Sequence, residues 1–215
     1  MKYFIKTLLS RIARPFGLEV VRYTPEQRER LSNRRHLRYK DLVVEKALAF
    51  PGEISVSEAI FLGNLVRDLY NNKPIIEIGT LFGRSTLIMA YQKKVEQKII
   101  TVDNYSWNPF EIPSDLHYSI TKKILSHAIE KLNVNQVRMD KRVFYETYSG
   151  ESPALVFLDA IHEYEDTKED IYWAMQVNAK IICGHDYDNF SYPGVVEAVN
   201  EFGGYRHFKE SLWVL

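Results

Sequence analysis

The sequence predicts an α/β domain in which helices cover both faces of a mostly parallel sheet. A C-terminal antiparallel hairpin and an N-terminal helical extension complete it. Three observations lead there. From Lys73 onward, short apolar runs alternate with amphipathic stretches. Most of the runs are rich in β-branched residues and lack polar alternation, the mark of strands buried on both faces. The last two runs are joined only by Glu210 and Ser211, a link suited to a hairpin and too short for a crossover.

Size and composition set the bounds. The chain has 215 residues, 46% of them hydrophobic and 13% aromatic, with 28 basic against 28 acidic side chains. That is one domain of ordinary size with a full core, which excludes wholesale disorder. A single cysteine, Cys183, excludes an internal disulfide framework and a cysteine-rich zinc site. No apolar run has bilayer-spanning length, and Arg11 and Arg14 interrupt the N-terminal apolar stretch, so no secretory signal is predicted. The expectation is a soluble cytoplasmic protein. The zero net charge hides an asymmetry: residues 1–40 hold eleven Lys and Arg against three Glu, a net +8, and the remainder carries −8.

In chain order, residues 1–16 space Phe4, Ile5, Leu8, Leu9 and Ile12 as one face of a helix, ended by Pro15 and Gly17. A second helix is expected from about Pro25 to Phe50, closed by Pro51-Gly52. Ser55 or Ser57 then caps a helix running towards Tyr70. Strands are predicted at Ile75–Ile78, Ile99–Val102, Val134–Met139, Leu155–Leu158 and Ile181–Cys183. Helices lie between them, for example over Leu116–Leu132 and Tyr164–Met175. His207–Lys209 and Leu212–Leu215 form the hairpin.

In such sheets ligands bind beyond the carboxyl ends of the strands, where the strand order reverses. Those ends carry Glu77 with the turn Gly79-Thr80-Leu-Phe-Gly83-Arg-Ser85, then Asp103, Asp140, Asp159 with His162, and His185-Asp186. Gly79 permits a tight turn, and Gly83 brings a helix start near an anionic group. A dinucleotide fingerprint would place glycines at 79, 81 and 84, but Leu81 and Arg84 stand there, and the lysine of a P-loop is missing. Asp103 ends the second strand, where a carboxylate grips a ribose diol; its bland alternative is a helix cap or surface acid. Asp140 either meets an adenine amino group or caps the helix that follows.

Taken together, the segment Glu77–Ser85 resembles the cofactor turn of class I S-adenosylmethionine-dependent methyltransferases, and is closest to the catechol-type O-methyltransferases. The segments Leu158-Asp-Ala-Ile-His-Glu-Tyr-Glu-Asp, Gly184-His-Asp-Tyr and Pro193-Gly-Val-Val-Glu-Ala-Val resemble the family-24 methyltransferases, related to macrolide-sugar O-methyltransferases. The resemblance covers residues 55–215 and implies a Rossmann-like fold. Residues 1–54 are the basic extension.

This resemblance implies that Glu77, Gly79, Thr80, Gly83, Ser85, Asp103 and Asp140 hold S-adenosylmethionine. It further implies a divalent cation, Mg or Mn, at Asp159 and Asp186 with His185 as a third ligand, although a histidine is an unusual partner for a hard cation. His162 falls where the relatives keep their general base. An imidazole suits removal of a proton from a hydroxyl as it attacks a sulfonium methyl; the alternative is a histidine bonded at a helix start. The implied acceptor is a sugar or polyol, as a small molecule or glycan. Asn104–Phe110, aromatic and broken by proline, covers adenine, lines an acceptor pocket or simply packs.

The basic arm is expected to pack on its own domain or on a second copy of the chain. A peripheral membrane helix is the next reading and nucleic-acid binding the last. Two other functions stay open: a metal-independent methyltransferase, and a non-catalytic module that uses the arm for a membrane or protein partner.

Overall fold

The computed structural model describes residues 46–215. The stretch over 1–16, the basic arm and most of the helix expected over 25–50 lie outside these residues. Among these residues, seven strands form one sheet in the order β3-β2-β1-β4-β5-β7-β6. They are β1 (Ile75–Ile78), β2 (Ile99–Asp103), β3 (Val134–Arg138), β4 (Leu155–Leu158), β5 (Ile182–Gly184), β6 (His207–Lys209) and β7 (Leu212–Val214). The first five are parallel; β7 runs antiparallel to β5 and β6. The order reverses between β1 and β4, so the crevice for a ligand opens there.

Among the described residues, the helices flanking the sheet are α1 (Val56–Arg67), α2 (Arg84–Gln92), α3 (Ser114–Ile124), α4 (Ser126–Lys131), α5 (Lys141–Thr147), α6 (Tyr164–Gln176) and α7 (Pro193–Glu201). Strand alternation divides the core between two faces. Ile75, Leu155 and Phe157 pack with Leu62 and Val66 of α1, Leu87 and Ile88 of α2, and Leu125. Ile76, Ile78, Val156 and Leu158 pack with Phe144, Ile171, Trp173, Val195 and Val199 of α5, α6 and α7. Each of β1 and β4 is buried along its whole length, as a strand covered on both faces must be.

Ser55 caps α1 in a reciprocal box: its Oγ accepts from Glu58 N at 3.2 Å, and its N donates to Glu58 Oε2 at 2.8 Å. The helix expected over Leu116–Leu132 is two, divided at Leu125, which is fully buried. Residues 46–54, placed with the extension by their sequence, join the compact unit that includes the sheet. Arg84 holds them there, donating to Phe50 O and Ile54 O at 2.8 and 2.9 Å and to Leu48 O at 3.3 Å. Among the described residues no helix is long and apolar enough to cross a membrane.

Candidate active site

A cavity of about 930 Å³ opens along the carboxyl ends of the parallel strands. Its wall includes Gly79, Thr80, Ser85, Asp103, Asp140, Asp159, His162 and Asp186. Eight of the eleven residues expected from sequence are therefore brought together. Glu77, Gly83 and His185 are not on the wall, and each has a physical reason.

Glu77 shares its strand face with Ile75, so its side chain points under α2. It is fully buried and accepts from Thr86 Oγ1. Burial pushes its pKa up to about 7, against the lowering effect of hydrogen bonds from Ser85, Thr101 and Thr86. Among the described residues its Oε1 has no hydrogen-bond partner. Gly83 is in the left-handed region, and a Cβ there would meet Leu125 at 2.7 Å, so the residue serves packing against the α3–α4 junction.

His185 turns the other way, behind the wall. Its Nδ1 lies 3.1 Å from Asp186 Oδ1 and its Nε2 lies 3.2 Å from Glu58 Oε1 and 3.0 Å from Ser211 Oγ. Both nitrogens are engaged there. The expectation that His185 is a metal ligand is corrected by this placement.

The turn after β1 is built around Asp103. One carboxylate oxygen accepts from Thr80 N at 2.9 Å and Leu81 N at 2.8 Å, and the other from Tyr105 N at 2.7 Å. A carboxylate offers about four acceptor sites, so one direction remains for a ligand hydroxyl. Leu81 adopts φ 48°, and its carbonyl is held by Thr121 Oγ1 at 2.8 Å and His117 Nε2 at 3.0 Å. His117 carried no assignment from the sequence. Asp140 does what one of its two readings required: it caps α5, accepting from Arg142 N at 2.9 Å, while also facing the cavity.

The reactive-looking cluster lies at the ends of β4 and β5. Ligand atoms of Asp159, His162 and Asp186 all fall within 4.8 Å of one another. His162 Nε2 is 2.9 Å from Asp186 Oδ2 and 3.7 Å from Asp159 Oδ1, yet off the hydrogen-bond direction, so among the described residues it has no hydrogen-bond partner. Burial lowers the pKa of this imidazole, but Asp159 and Asp186 outweigh it and raise the value to about 9. The ring leans on Tyr192, with centroids 4.6 Å apart. The two carboxylates are hard oxygen donors that fit a divalent cation, and the nitrogen beside them, unpartnered among the described residues, is placed to take a proton.

Several wall residues were not singled out from sequence. Glu53 and Ile54 come from the segment that Arg84 clamps, Met139 from the end of β3, and Tyr192 from the start of α7. The aromatic stretch contributes Trp107 and Phe110, and Tyr105 is buried instead, its hydroxyl accepting from Gln136 at 2.6 Å.

Residues 76–187 match the family described as Methyltransferase domain, type 24. The chain belongs to this methyltransferase family. A search of curated protein sequences finds no match. Among solved structures, the chain is similar to the O-methyltransferase from Bacillus cereus in complex with SAH, at 22% identity and TM-score 0.58, covering 80% of this chain and 82% of that one. It is similar to the O-methyltransferase TomG from Streptomyces achromogenes, involved in tomaymycin synthesis and solved with SAM, at 19% identity and TM-score 0.57, covering 80% and 81%. The apo TDP-rhamnose 3'-O-methyltransferase of calicheamicin biosynthesis also matches at 19% identity and TM-score 0.57, over 91% and 96%. At these identities the likeness shows the methyltransferase fold, in agreement with the resemblance read from sequence.

Proposed function

We propose that this methyltransferase moves the methyl group of S-adenosylmethionine to a hydroxyl oxygen of a sugar or polyol, with His162 receiving the hydroxyl proton and a divalent cation held by Asp159 and Asp186. The observation that carries the reading is the unpartnered Nε2 of His162 between those two carboxylates, on the wall of a cavity shared with Asp103. Asp103 ends β2 and Asp159 follows β4, with β1 between them. Two strand spacings separate such ends by roughly 10 Å. That span suits a cofactor lying across Gly79, its ribose at Asp103 and its sulfonium towards Asp159. The cavity is large enough for a nucleoside cofactor and a small acceptor together.

A base must be neutral to accept a proton. The two carboxylates favour the protonated ring of His162, while burial favours the neutral one. A bound cation would neutralise the carboxylates and lower the pKa of the acceptor hydroxyl. His162 would then titrate low enough to take the proton, and Tyr192 against its ring limits its rotation. Two carboxylates offer the oxygen ligands that either Mg²⁺ or Mn²⁺ accepts. Transfer requires acceptor oxygen, methyl carbon and sulfur in line, which the rigid wall of β1 and β4 would enforce. The sugar assignment is supported by the likeness to the TDP-rhamnose 3'-O-methyltransferase.

Calorimetric titration of metal-stripped protein with S-adenosylhomocysteine, wild type and Asp103→Ala, tests the cofactor. Micromolar binding abolished by the substitution is expected; no binding by folded wild type overturns the reading. Methyl transfer to sugar acceptors, assayed with Mn²⁺ and with chelator, then tests the cation.

A further inference from the structure

Glu58 and His185 lie behind the cavity wall and have no part in the proposed reaction, yet both are almost fully buried, at 2% and 4% exposure. Glu58 sits in the first turn of α1. Its Oε1 accepts from Ser211 N at 2.8 Å and Ser211 Oγ at 2.7 Å, in the turn between β6 and β7, and faces His185 Nε2 at 3.2 Å. His185 Nδ1 faces Asp186 Oδ1 at 3.1 Å, and Asp186 Oδ2 faces His162 Nε2 at 2.9 Å. A continuous row therefore runs Glu58–His185–Asp186–His162, from the back of the domain into the cavity.

The backbone around Asp186 is held as firmly as its side chain. Asp186 adopts φ 62°, a left-handed conformation that aspartate tolerates better than most residues. The residues on either side are fixed: Trp213 Nε1 donates to His185 O at 3.0 Å, and Tyr187 N donates to Ser211 O at 2.9 Å. These contacts fix the direction in which the Asp186 side chain leaves the backbone.

We propose that Glu58 and His185 are positioning residues: His185 occupies one oxygen of Asp186 so that only the other is presented to a cation, and Glu58 fixes the ring that does so. This rests on the cation site proposed above. Unrestrained, Asp186 would turn away from the like charge of Asp159, or present both oxygens to the cavity. With one oxygen taken by a buried ring, a single acceptor faces Asp159 and His162. Partners behind a ligand commonly set its affinity for metal by 10- to 100-fold.

The test is Mn²⁺ titration of the full chain, following the electron paramagnetic resonance signal of free ion. His185→Phe keeps a ring without nitrogens and is expected to weaken Mn²⁺ binding by about 10- to 100-fold. S-adenosylhomocysteine affinity should stay within about twofold, because neither residue is on the cavity wall. His185→Asn removes more packing volume but keeps an N–H donor near the position of Nδ1, and is expected to recover most of the Mn²⁺ affinity. Glu58→Gln retains a residue competent for the capping box and is expected to weaken Mn²⁺ binding in the same sense. Wild-type affinity in His185→Phe or Glu58→Gln overturns the proposal. So does His185→Asn binding no better than His185→Phe, the result of a purely structural role. Folded wild type that binds no Mn²⁺ overturns the cation site itself, and this inference with it.

Discussion

A Cβ at Gly79 would lie 1.9 Å from the carbonyl oxygen of Asp159, so the turn after β1 and the end of β4 meet backbone to backbone. Asp159 N donates to Ile78 O at 2.8 Å across the same pair. The contact sits where the strand order reverses, and it joins the turn gripped by Asp103 to the first carboxylate of the cluster. The glycine thus brings two parts of the chain together, in addition to bordering the cavity.

Gly79→Ala should therefore damage both fold and site. Its φ of 97° is strained for any side chain, and the methyl group would meet backbone that cannot rotate away. Strain and overpacking together cost roughly 3 kcal/mol or more. Urea unfolding should show that loss, and calorimetry should show S-adenosylhomocysteine binding largely gone. Stability within about 0.5 kcal/mol of wild type would contradict the close approach.

Arg84 stands where a dinucleotide fingerprint would have glycine, and its guanidinium carries the segment 48–54. Lysine has a single point charge and cannot reproduce the fork. Arg84→Lys leaves at least one of the carbonyls of Phe50 and Ile54 without its donor, a cost of about 2 kcal/mol. Because residues 51–54 line the cavity, cofactor affinity should fall about tenfold. Faster proteolytic cleavage within 48–54 and a weaker calorimetric isotherm are the expected readouts; unchanged values for both would show that the segment is held by other contacts.

Much of this architecture was legible because buried parallel strands leave an unambiguous trace. β1 and β4 begin and end where their apolar runs do. The division of α3 from α4 was not legible, since Leu125 continues the amphipathic pattern while packing against Gly83. Asp103 and the pair Asp159–His162 were readable as strand-end groups. The place of His185 was not: the left-handed turn at Asp186 carries no glycine to announce it, and that turn decides which of the two neighbours faces the cavity. Glu77 could have been placed correctly, because alternation with Ile76 and Ile78 puts it on the α2 side. Glu58 had a visible signal in the spacing Ser55-x-x-Glu58 of a capping box, but its contacts with Ser211 and His185 join residues far apart in sequence.

Glu77 predicts a pH dependence of stability. Burial raises its folded pKa from an ordinary 4.5 to about 7. Between those values the native state holds a proton that the unfolded state has released, so stability falls as pH rises through that window and is level above it. The span corresponds to about 3 kcal/mol at most. Glu77→Gln should lose this fall, which chemical denaturation at pH 5, 6, 7 and 8 would show after subtraction from wild type. Parallel curves for the two proteins would mean that Glu77 is ionised in the fold throughout.

His162 separates catalysis from binding most directly. His162→Gln keeps a polar side chain against Tyr192 but removes the proton acceptor. Methyl transfer should fall by about 10²- to 10⁴-fold, the usual contribution of a general base, with S-adenosylhomocysteine affinity unchanged. Its titration supplies an independent check in protein freed of divalent cations. There the carboxylates of Asp159 and Asp186 raise the folded pKa from 6.5 to about 9. The native state therefore binds more protons than the unfolded state between those values. The resulting stabilisation is complete below pH 6.5 and is lost as pH rises through 9. His185, raised to about 11 by Asp186 and Glu58 against the effect of burial, adds a similar loss extending to higher pH. Subtracting His162→Gln from wild type isolates the His162 share: a difference in stability that shrinks between pH 6.5 and 9. A difference constant across that range would place the proton elsewhere, and retention of wild-type turnover would remove His162 from the reaction.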